Sequence, residues 1–232
     1  MNAAGFLGFA PDPRRMLWLD RFGAFITNPI SLSPRSPARN STVLPFGSGF
    51  ILHTGFPNLG LDRIIRENAK LWAASAVPII LHLLIQDVQE IDICLAKVEA
   101  LDGVSGVELS FYPEIDISQM IPRTSHLSSE LPVIFQLTAD QIYTNQTKIM
   151  SSPISAVSLA RPRGAIKNCQ SEIGKGRYLS HSNLPITLHD VDRLKGFGTP
   201  IFAGAGVTSE DEIPLVLEAG AAALQLDAVL WD

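Results

Sequence analysis

The residues best placed to hold a ligand lie near the end of the chain, in Thr199-Pro-Ile-Phe-Ala-Gly-Ala-Gly-Val-Thr-Ser-Glu-Asp-Glu. An apolar strand, Ile201 to Ala203, runs into a glycine turn (Gly204, Gly206), and a helix opens at Thr208 or Ser209 with acids in its first turn. That order aims unpaired backbone N–H groups at one point, which suits a phosphate. The plainer reading is a tight strand-to-helix turn with no ligand. A second strand, Ala222-Ala-Leu-Gln-Leu, follows, and Asp227 then puts an acid where a second anion-binding loop should begin. Arg161 and Arg163 follow the apolar run Ala156 to Ala160; they are either candidates to bind an anionic ligand or ordinary solvated charges. His53 is either a substrate contact or a loop histidine bonded to backbone. His82, inside an apolar run, reads as a core histidine with a satisfied hydrogen bond. Tyr112 is structural or, if its hydroxyl is strongly acidified, catalytic. Cys94 falls in a helical pattern and Cys169 in a polar loop with nothing nearby to activate it. Glu210, Asp211 and Glu212 read as first-turn helix charges rather than metal ligands.

These residues need a frame. Short apolar runs recur at even spacing: Gly23 to Thr27, Pro78 to Leu83, Gly106 to Ser110, Pro132 to Leu137, Ala156 to Ala160, Pro200 to Gly204 and Ala222 to Leu226. Each suits a strand buried on both faces of a parallel sheet. Helical patterns lie between most of them. Asp87 to Leu101 places Val88, Ile91, Leu95 and Val98 on one face, and Leu61 to Ala74, Leu188 to Leu194 and Glu210 to Ala219 behave alike. Pro214 is tolerated in the first turns of the last of these. With Asn2 to Gly5 as a short opening strand and Pro13 to Arg21 as its helix, the count reaches eight strands. A single closed (β/α)8 TIM barrel over residues 1–232 is expected, with right-handed connections. Ser31 to Ser41 and Arg161 to Ser182 are expected as long loops on the face where barrel active sites lie. The chain stops just after the last strand, so no final C-terminal helix is expected, and the surface this leaves suggests a homo-oligomer or a partner subunit.

Composition narrows the function classes. The chain has 232 residues, 46% hydrophobic and 18% charged, enough to bury a large core. A net charge of −5 gives no reason to expect nucleic acid or an anionic membrane as partner. Two cysteines and no metal-type Cys/His spacing suggest a reducing cytoplasm and no metal. No apolar run approaches the ~20 residues of a membrane span, and the N-terminus lacks the basic region of a signal peptide.

In order along the chain, Asn2-Ala-Ala-Gly, Gly23-Ala-Phe-Ile-Thr-Asn-Pro-Ile-Ser-Leu-Ser-Pro-Arg, Thr54-Gly-Phe-Pro-Asn-Leu-Gly, Gly106-Val-Glu-Leu-Ser, Pro132-Val-Ile-Phe-Gln-Leu and Gly204-Ala-Gly-Val-Thr-Ser through Leu224-Gln-Leu resemble the FMN-dependent barrels typified by dihydroorotate dehydrogenase. The resemblance covers nearly the whole chain. It implies FMN at the barrel mouth, lined by Ala3, Ala4, Gly5, Thr27, Asn28, Ser110, Gln136, Gly204, Ala205, Gly206 and Val207. It further implies hydride transfer between the flavin and a small carboxylate-bearing substrate of the dihydroorotate kind, a step of pyrimidine biosynthesis. His53, Asn58, Arg161 and Arg163 fall on the substrate side and Tyr112 near the catalytic base. Departures from the pattern are plain. Asn28 and Gln136 stand where the family has lysines, Ser110 where it has an asparagine, His53 where it has another, and Asp227 where it has a glycine at the phosphate. A carboxylate about 5 Å from a phosphate costs roughly 3 kcal/mol per unit charge at an effective dielectric near 20. A helix N-terminus returns about 0.3–2 kcal/mol. Either Asp227 points away or phosphate does not bind there. The alternative expectation is a flavin-free barrel that binds a small anion or serves as a partner subunit.

Overall fold

A computed structural model describes residues 1–231 apart from 13, 15, 17, 40–41, 113–114, 125–129 and 168–172. Seven parallel strands form one sheet: β1 (Phe25–Ile26), β4 (Ile79–Ile85), β5 (Val104–Phe111), β6 (Val133–Leu137), β7 (Ala156–Leu159), β10 (Ile201–Ala203) and β11 (Ala223–Leu224), adjacent in that order. Every one coincides with an apolar run of the sequence. The eighth position belongs to residues 1–3. Asn2 bridges in parallel to Leu226, with Ala3 N donating to Leu226 O at 2.6 Å and Leu226 N to Met1 O at 2.9 Å. On its other side the Asn2 side chain takes over from a ladder. Its Nδ2 donates to Ile26 O at 2.6 Å and its Oδ1 accepts from Ile26 N at 2.9 Å. The two edges of the sheet are thereby joined through one asparagine, and the ring closes.

Alternation along the strands sorts side chains to two sides. Phe25, Leu81, Leu83, Val107, Leu109, Phe135 and Val157 face outward into the main core, against Leu61, Ile64 and Trp72 of α1 (Leu61–Ala73) and Ile91, Leu95 and Val98 of α2 (Glu90–Val98). Each such buried side chain contributes roughly 1.5–3 kcal/mol. Inside the ring a smaller apolar layer forms from Ala24, Ile26, Ile80, Ile134 and Ala156. The next inward residues toward the strand C-termini are polar, and they make the site.

Of the two expected loops, the described residues of Ser31 to Ser41 hold no strand or helix, whereas Arg161 to Ser182 does. Beyond Ser41 lies β2 (Thr42–Phe46), paired antiparallel with β3 (Gly49–His53), and Arg161 to Ser182 contains β8 (Arg163–Lys167) and β9 (Ile173–Ser180). Together they form a second, antiparallel sheet in the order β2-β3-β9-β8. It packs on the N-terminal segment through Ala3, Phe6, Leu52 and Leu179. Glycines on the covered face (Gly164, Gly174, Gly176) and charges on the exposed one (Arg163, Lys167, Lys175) hid β8 and β9. Helical corrections are smaller. α6 (Leu184–Arg193) begins four residues before Leu188, because Pro185 in its first turn starts the helix instead of preventing it. α3 (Ile117–Thr124), α4 (Ala139–Thr144) and α5 (Gln146–Met150) carry short or mixed patterns that periodicity did not reveal. Of the helix expected over Pro13 to Arg21, the described residues show a 3-10 turn at Leu19–Arg21, and residues 13, 15 and 17 lie outside the described residues. α7 (Ile213–Ala219) follows the glycine turn as expected, after a 3-10 turn at Glu210–Glu212. Past β11 the chain forms another 3-10 turn, Ala228–Trp231, and Trp231 Nε1 donates to Phe6 O at 3.0 Å. Among the described residues no helix is long and apolar enough to cross a membrane.

The asparagine seam gives a direct prediction. Asn2→Ala leaves Ile26 N and O buried without partners, which costs about 2–4 kcal/mol. A urea titration should show that loss with an unchanged m-value, and an unchanged midpoint would show that the seam carries no load.

Candidate functional site

The polar layer inside the barrel centres on Glu108, which is fully buried on β5. Its Oε2 lies 2.6 Å from His82 Nδ1, and its Oε1 accepts from Ser158 Oγ and from Gln225 Nε2, each at 2.6 Å. The sheet register dictates this meeting. His82 pairs with Glu108 across β4 and β5, Ser110 is two residues farther on the same face, and on β7 Ser158 lies two residues beyond Ala156, which the register aligns with Glu108 through Ile134. Burial alone would raise the Glu108 carboxyl, yet the hydrogen bond and coulombic attraction of His82, with the bonds from Ser158 and Gln225, hold it below the usual carboxylate range. On its far side the imidazole Nε2 lies 2.7 Å from Ser110 Oγ. Thr27 steadies β4 by accepting from His82 N through its Oγ1 at 3.0 Å.

One layer closer to the rim, Arg161 donates from Nη2 to Gln225 O at 2.6 Å and from Nη1 to Gln225 Oε1 at 3.1 Å. Its Nε reaches Asp227 Oδ2 at 3.4 Å. Asp227 therefore points inward, as a counter-charge to Arg161, and its Oδ1 accepts from Ala228 N at 2.7 Å. Above them Arg177, on β9, reaches in from the antiparallel sheet. Its Cζ stands 5.1 Å from the Phe6 ring centre and 5.0 Å from that of Phe56, and Nη1 donates to Ala4 O at 3.3 Å. Phe56 adopts a left-handed backbone (φ 53°), a strained conformation that places its ring there. Gly5, also left-handed, leaves the space that Arg177 fills, since a Cβ at Gly5 would lie 2.8 Å from Nη1. Burial pushes the Arg177 guanidinium down to about 10, with Arg161 and Arg163 acting the same way and Asp227 opposing; the group remains cationic at neutral pH. Arg163 is the cross-strand partner of Arg177 and is exposed. Like charges at directly opposed positions of a sheet are unfavourable. At this rim, Arg161 and Arg177 are enclosed with Asp227 as their acidic neighbour.

The glycine turn is built differently from a phosphate cradle. Thr208 N and Ser209 N both donate to Glu212 Oε2, at 2.7 and 3.1 Å, and Glu212 Oε1 meets His181 Nε2 at 2.6 Å. The backbone bond from Thr208 leads the effects that bring the Glu212 carboxyl down to about 2. Gly206, left-handed, is pressed against the first backbone atoms of α6 at Asn183 and Leu184, while Gly204 lies against the backbone of Gln225. Ala205 and Val207 are buried; Ala205 O accepts from Thr187 Oγ1 at 2.8 Å.

The remaining candidates scatter. Ala3 and Ala4 are buried in the N-terminal segment, and Asn28 and Gln136 are half-buried. Asn28 Oδ1 accepts from Gly8 N at 3.1 Å. Asn58 spends its amide on Ser31, Phe56 and Gly60, clamping the loop before α1. His53 ends β3, half-buried. Tyr112 follows Ser110 at the end of β5, with Arg35 Cζ 5.0 Å over its ring and no partner for its buried hydroxyl among the described residues. Cys94 is buried in α2, and Cys169 lies outside the described residues. Among the described residues no group of His, Cys, Asp or Glu could hold a metal ion. The sequence reading missed Glu108, Ser158, Gln225 and Arg177. For Glu108 and Gln225 the overlooked signal was a charged or amide residue within an otherwise apolar run, whereas Ser158 and Arg177 carried no such mark.

A closed α/β barrel with a polar interior layer and a cationic rim defines the class of protein. The family model described as Dihydroorotate dehydrogenase matches residues 1–143, more than half of the chain, and the chain belongs to that family. Among curated relatives, the catalytic subunit of dihydroorotate dehydrogenase B (NAD(+)) of Citrifermentans bemidjiense is 26% identical over 110 residues, 47% of this chain and 36% of that protein. Its counterpart in Desulforudis audaxviator is 22% identical over 150 residues, 60% of this chain and 49% of that protein. The chain thus covers between about a third and a half of these relatives. Among solved structures, the tryptophan synthase A-subunit of Pyrococcus furiosus matches with a TM-score of 0.50 and 15% identity, over 75% of this chain and 65% of that one, a likeness of fold.

FMN is the cofactor that the family resemblance implies, and the residues present do not fit it. Arg177 occupies the open side of Gly5, one of the positions the resemblance assigns to the lining of the cofactor. At the turn expected to meet the phosphate, the N–H groups of Thr208 and Ser209 already bind the Glu212 carboxylate, and Asp227 puts a carboxylate where the family has a glycine.

The Glu212 cap makes a pH prediction. Its folded value is depressed below the unfolded value of ~4.3, so its stabilisation is full above that value and is lost as pH falls toward about 2. The stability gap between the wild type and Glu212→Gln, followed by urea titration, should be widest above about pH 5 and close toward pH 2. A gap that persists at the lowest pH would show that the carboxylate charge is irrelevant.

Proposed function

We propose that this chain is a dihydroorotate dehydrogenase-family barrel whose mouth binds a small carboxylate-bearing anion through Arg177, with Arg161 beneath it, without a phosphate-anchored flavin. The observation that carries this reading is the Arg177 guanidinium, held between Phe6 and Phe56 on the open side of Gly5, with the fixed carboxylate below already engaged by Arg161. Desolvated cations with too little counter-charge favour an anionic ligand, and the planar fork of arginine matches a carboxylate.

A second reading, FMN-dependent oxidation of a dihydroorotate-like substrate, is favoured by family membership and by one feature of the rim. Arg177 supplies a cation at the mouth of a chain in which Asn28 and Gln136 stand where the family has lysines. That reading requires Arg177 to leave Gly5.

One pair of titrations separates the two. Calorimetry with orotate should show binding to the wild type, weakened at least about tenfold (about 1.4 kcal/mol) by Arg177→Met, while excess FMN gives no flavin absorbance after gel filtration. Retained FMN absorbance would favour the second reading, and binding of neither ligand would remove both.

A subunit contact belongs to the same proposal. Leu215 and Leu217 of α7 and Trp231 are exposed near the barrel's last strand, a surface suited to a second copy or partner. Light scattering at micromolar concentration should give a multiple of 25.2 kDa, and a monomer mass would count against self-association.

A further inference from the structure

Three interior side chains form an arrangement that anion binding does not use. Ser110 Oγ lies 2.7 Å from His82 Nε2, and His82 Nδ1 lies 2.6 Å from Glu108 Oε2. Glu108 is held ionised by its donors and can only accept, so Nδ1 must carry a proton. In the neutral ring Nε2 then holds the lone pair, and the serine hydroxyl donates to it. This is the order nucleophile, base and orienting carboxylate that activates a serine, set by hydrogen bonds and independent of the fold that carries it. The orienting end is fixed: Ser158 and Gln225 hold the other carboxylate oxygen, and both His82 and Glu108 are buried. Ser110 alone of the three is half-buried, at the mouth end of β5.

We propose that Ser110, with His82 as its base and Glu108 as its positioning residue, is a nucleophile that accepts the acyl group of small activated carboxylic esters entering the barrel mouth. Ser110 Oγ bonds to the ester carbonyl carbon and passes its proton to His82 Nε2. The bond from that carbon to the alcohol oxygen breaks, and the departing oxygen takes the proton from His82. Water attacks the acyl-serine along the same path, releasing the acid and restoring the hydroxyl, so the balance is ester plus water giving acid plus alcohol. The proposal stands on this triad alone and does not depend on which anion the arginines bind.

The test mixes p-nitrophenyl acetate with the wild-type protein and follows p-nitrophenol release, with intact and peptide mass spectrometry of the quenched protein. The expected result is a burst approaching one p-nitrophenol per chain and an acetyl adduct on the peptide containing Ser110, both lost in Ser110→Ala. Mapping the adduct on the wild type decides the matter even if that variant fails to fold. No burst and no adduct, or an adduct elsewhere with Ser110 unmodified, overturns the proposal. Glu108→Gln, checked as folded by circular dichroism, should slow acylation on the order of 10³-fold or more through the wrong tautomer of His82. An unchanged acylation rate would remove Glu108 from its positioning role.

Discussion

Glu108 is an ionised carboxylate in the middle of a barrel, and the architecture of the site follows from keeping it satisfied. An unpaired charge at such depth is costly, and removal of one partner of a buried pair typically destabilises by about 3–5 kcal/mol. The chain meets the requirement with His82 from β4, Ser158 from β7 and Gln225 just past β11, so one carboxylate ties together strands from most of the circumference. Gln225 then passes the constraint upward, because its side-chain oxygen and its carbonyl both receive Arg161. Arg161 in turn fixes Asp227. The interior is therefore layered, with aliphatic packing at the base, a hydrogen-bonded acid at mid-height and guanidinium groups at the rim.

Much of this fold was legible in the sequence, and the reason is physical. Strands covered on both faces need continuous apolar runs, so Ile79–Ile85 and Val133–Leu137 announce themselves. The antiparallel sheet did not. Ile173-Gly-Lys-Gly-Arg-Tyr-Leu-Ser alternates only weakly, and the proper cue, the short Gly47-Ser48 connection between Phe46 and Gly49, was hidden among neighbouring prolines and serines. The site was readable in part. Glycines at 204 and 206 predicted a turn, and the turn is there, but its function as a ligand cradle depended on which acceptor reached its amides. Glu212 is three and four residues away in sequence, close enough for a capping box to compete with any external phosphate. Arg177 was beyond reach because only the β3–β9 pairing brings it over Gly5.

Family membership and local chemistry diverge here. The barrel and its order of segments are those of the dihydroorotate dehydrogenase family. At its mouth, carboxylates of the chain occupy the amides of Thr208, Ser209 and Ala228, and Arg177 occupies the open side of Gly5. A fold is a scaffold that many sites can share, so what this barrel does has to be argued from its own polar contacts.

The join between residues 1–3 and β1 has a mechanical meaning. The seven strands are joined by backbone ladders and residues 1–3 meet Leu226 through backbone bonds, whereas along this one line the wall is held by the amide of a single side chain. Local opening starts where backbone pairing is thinnest. The cylinder is thus a ring closed by one latch, and this seam, not the seven paired strands, is where its wall would part first.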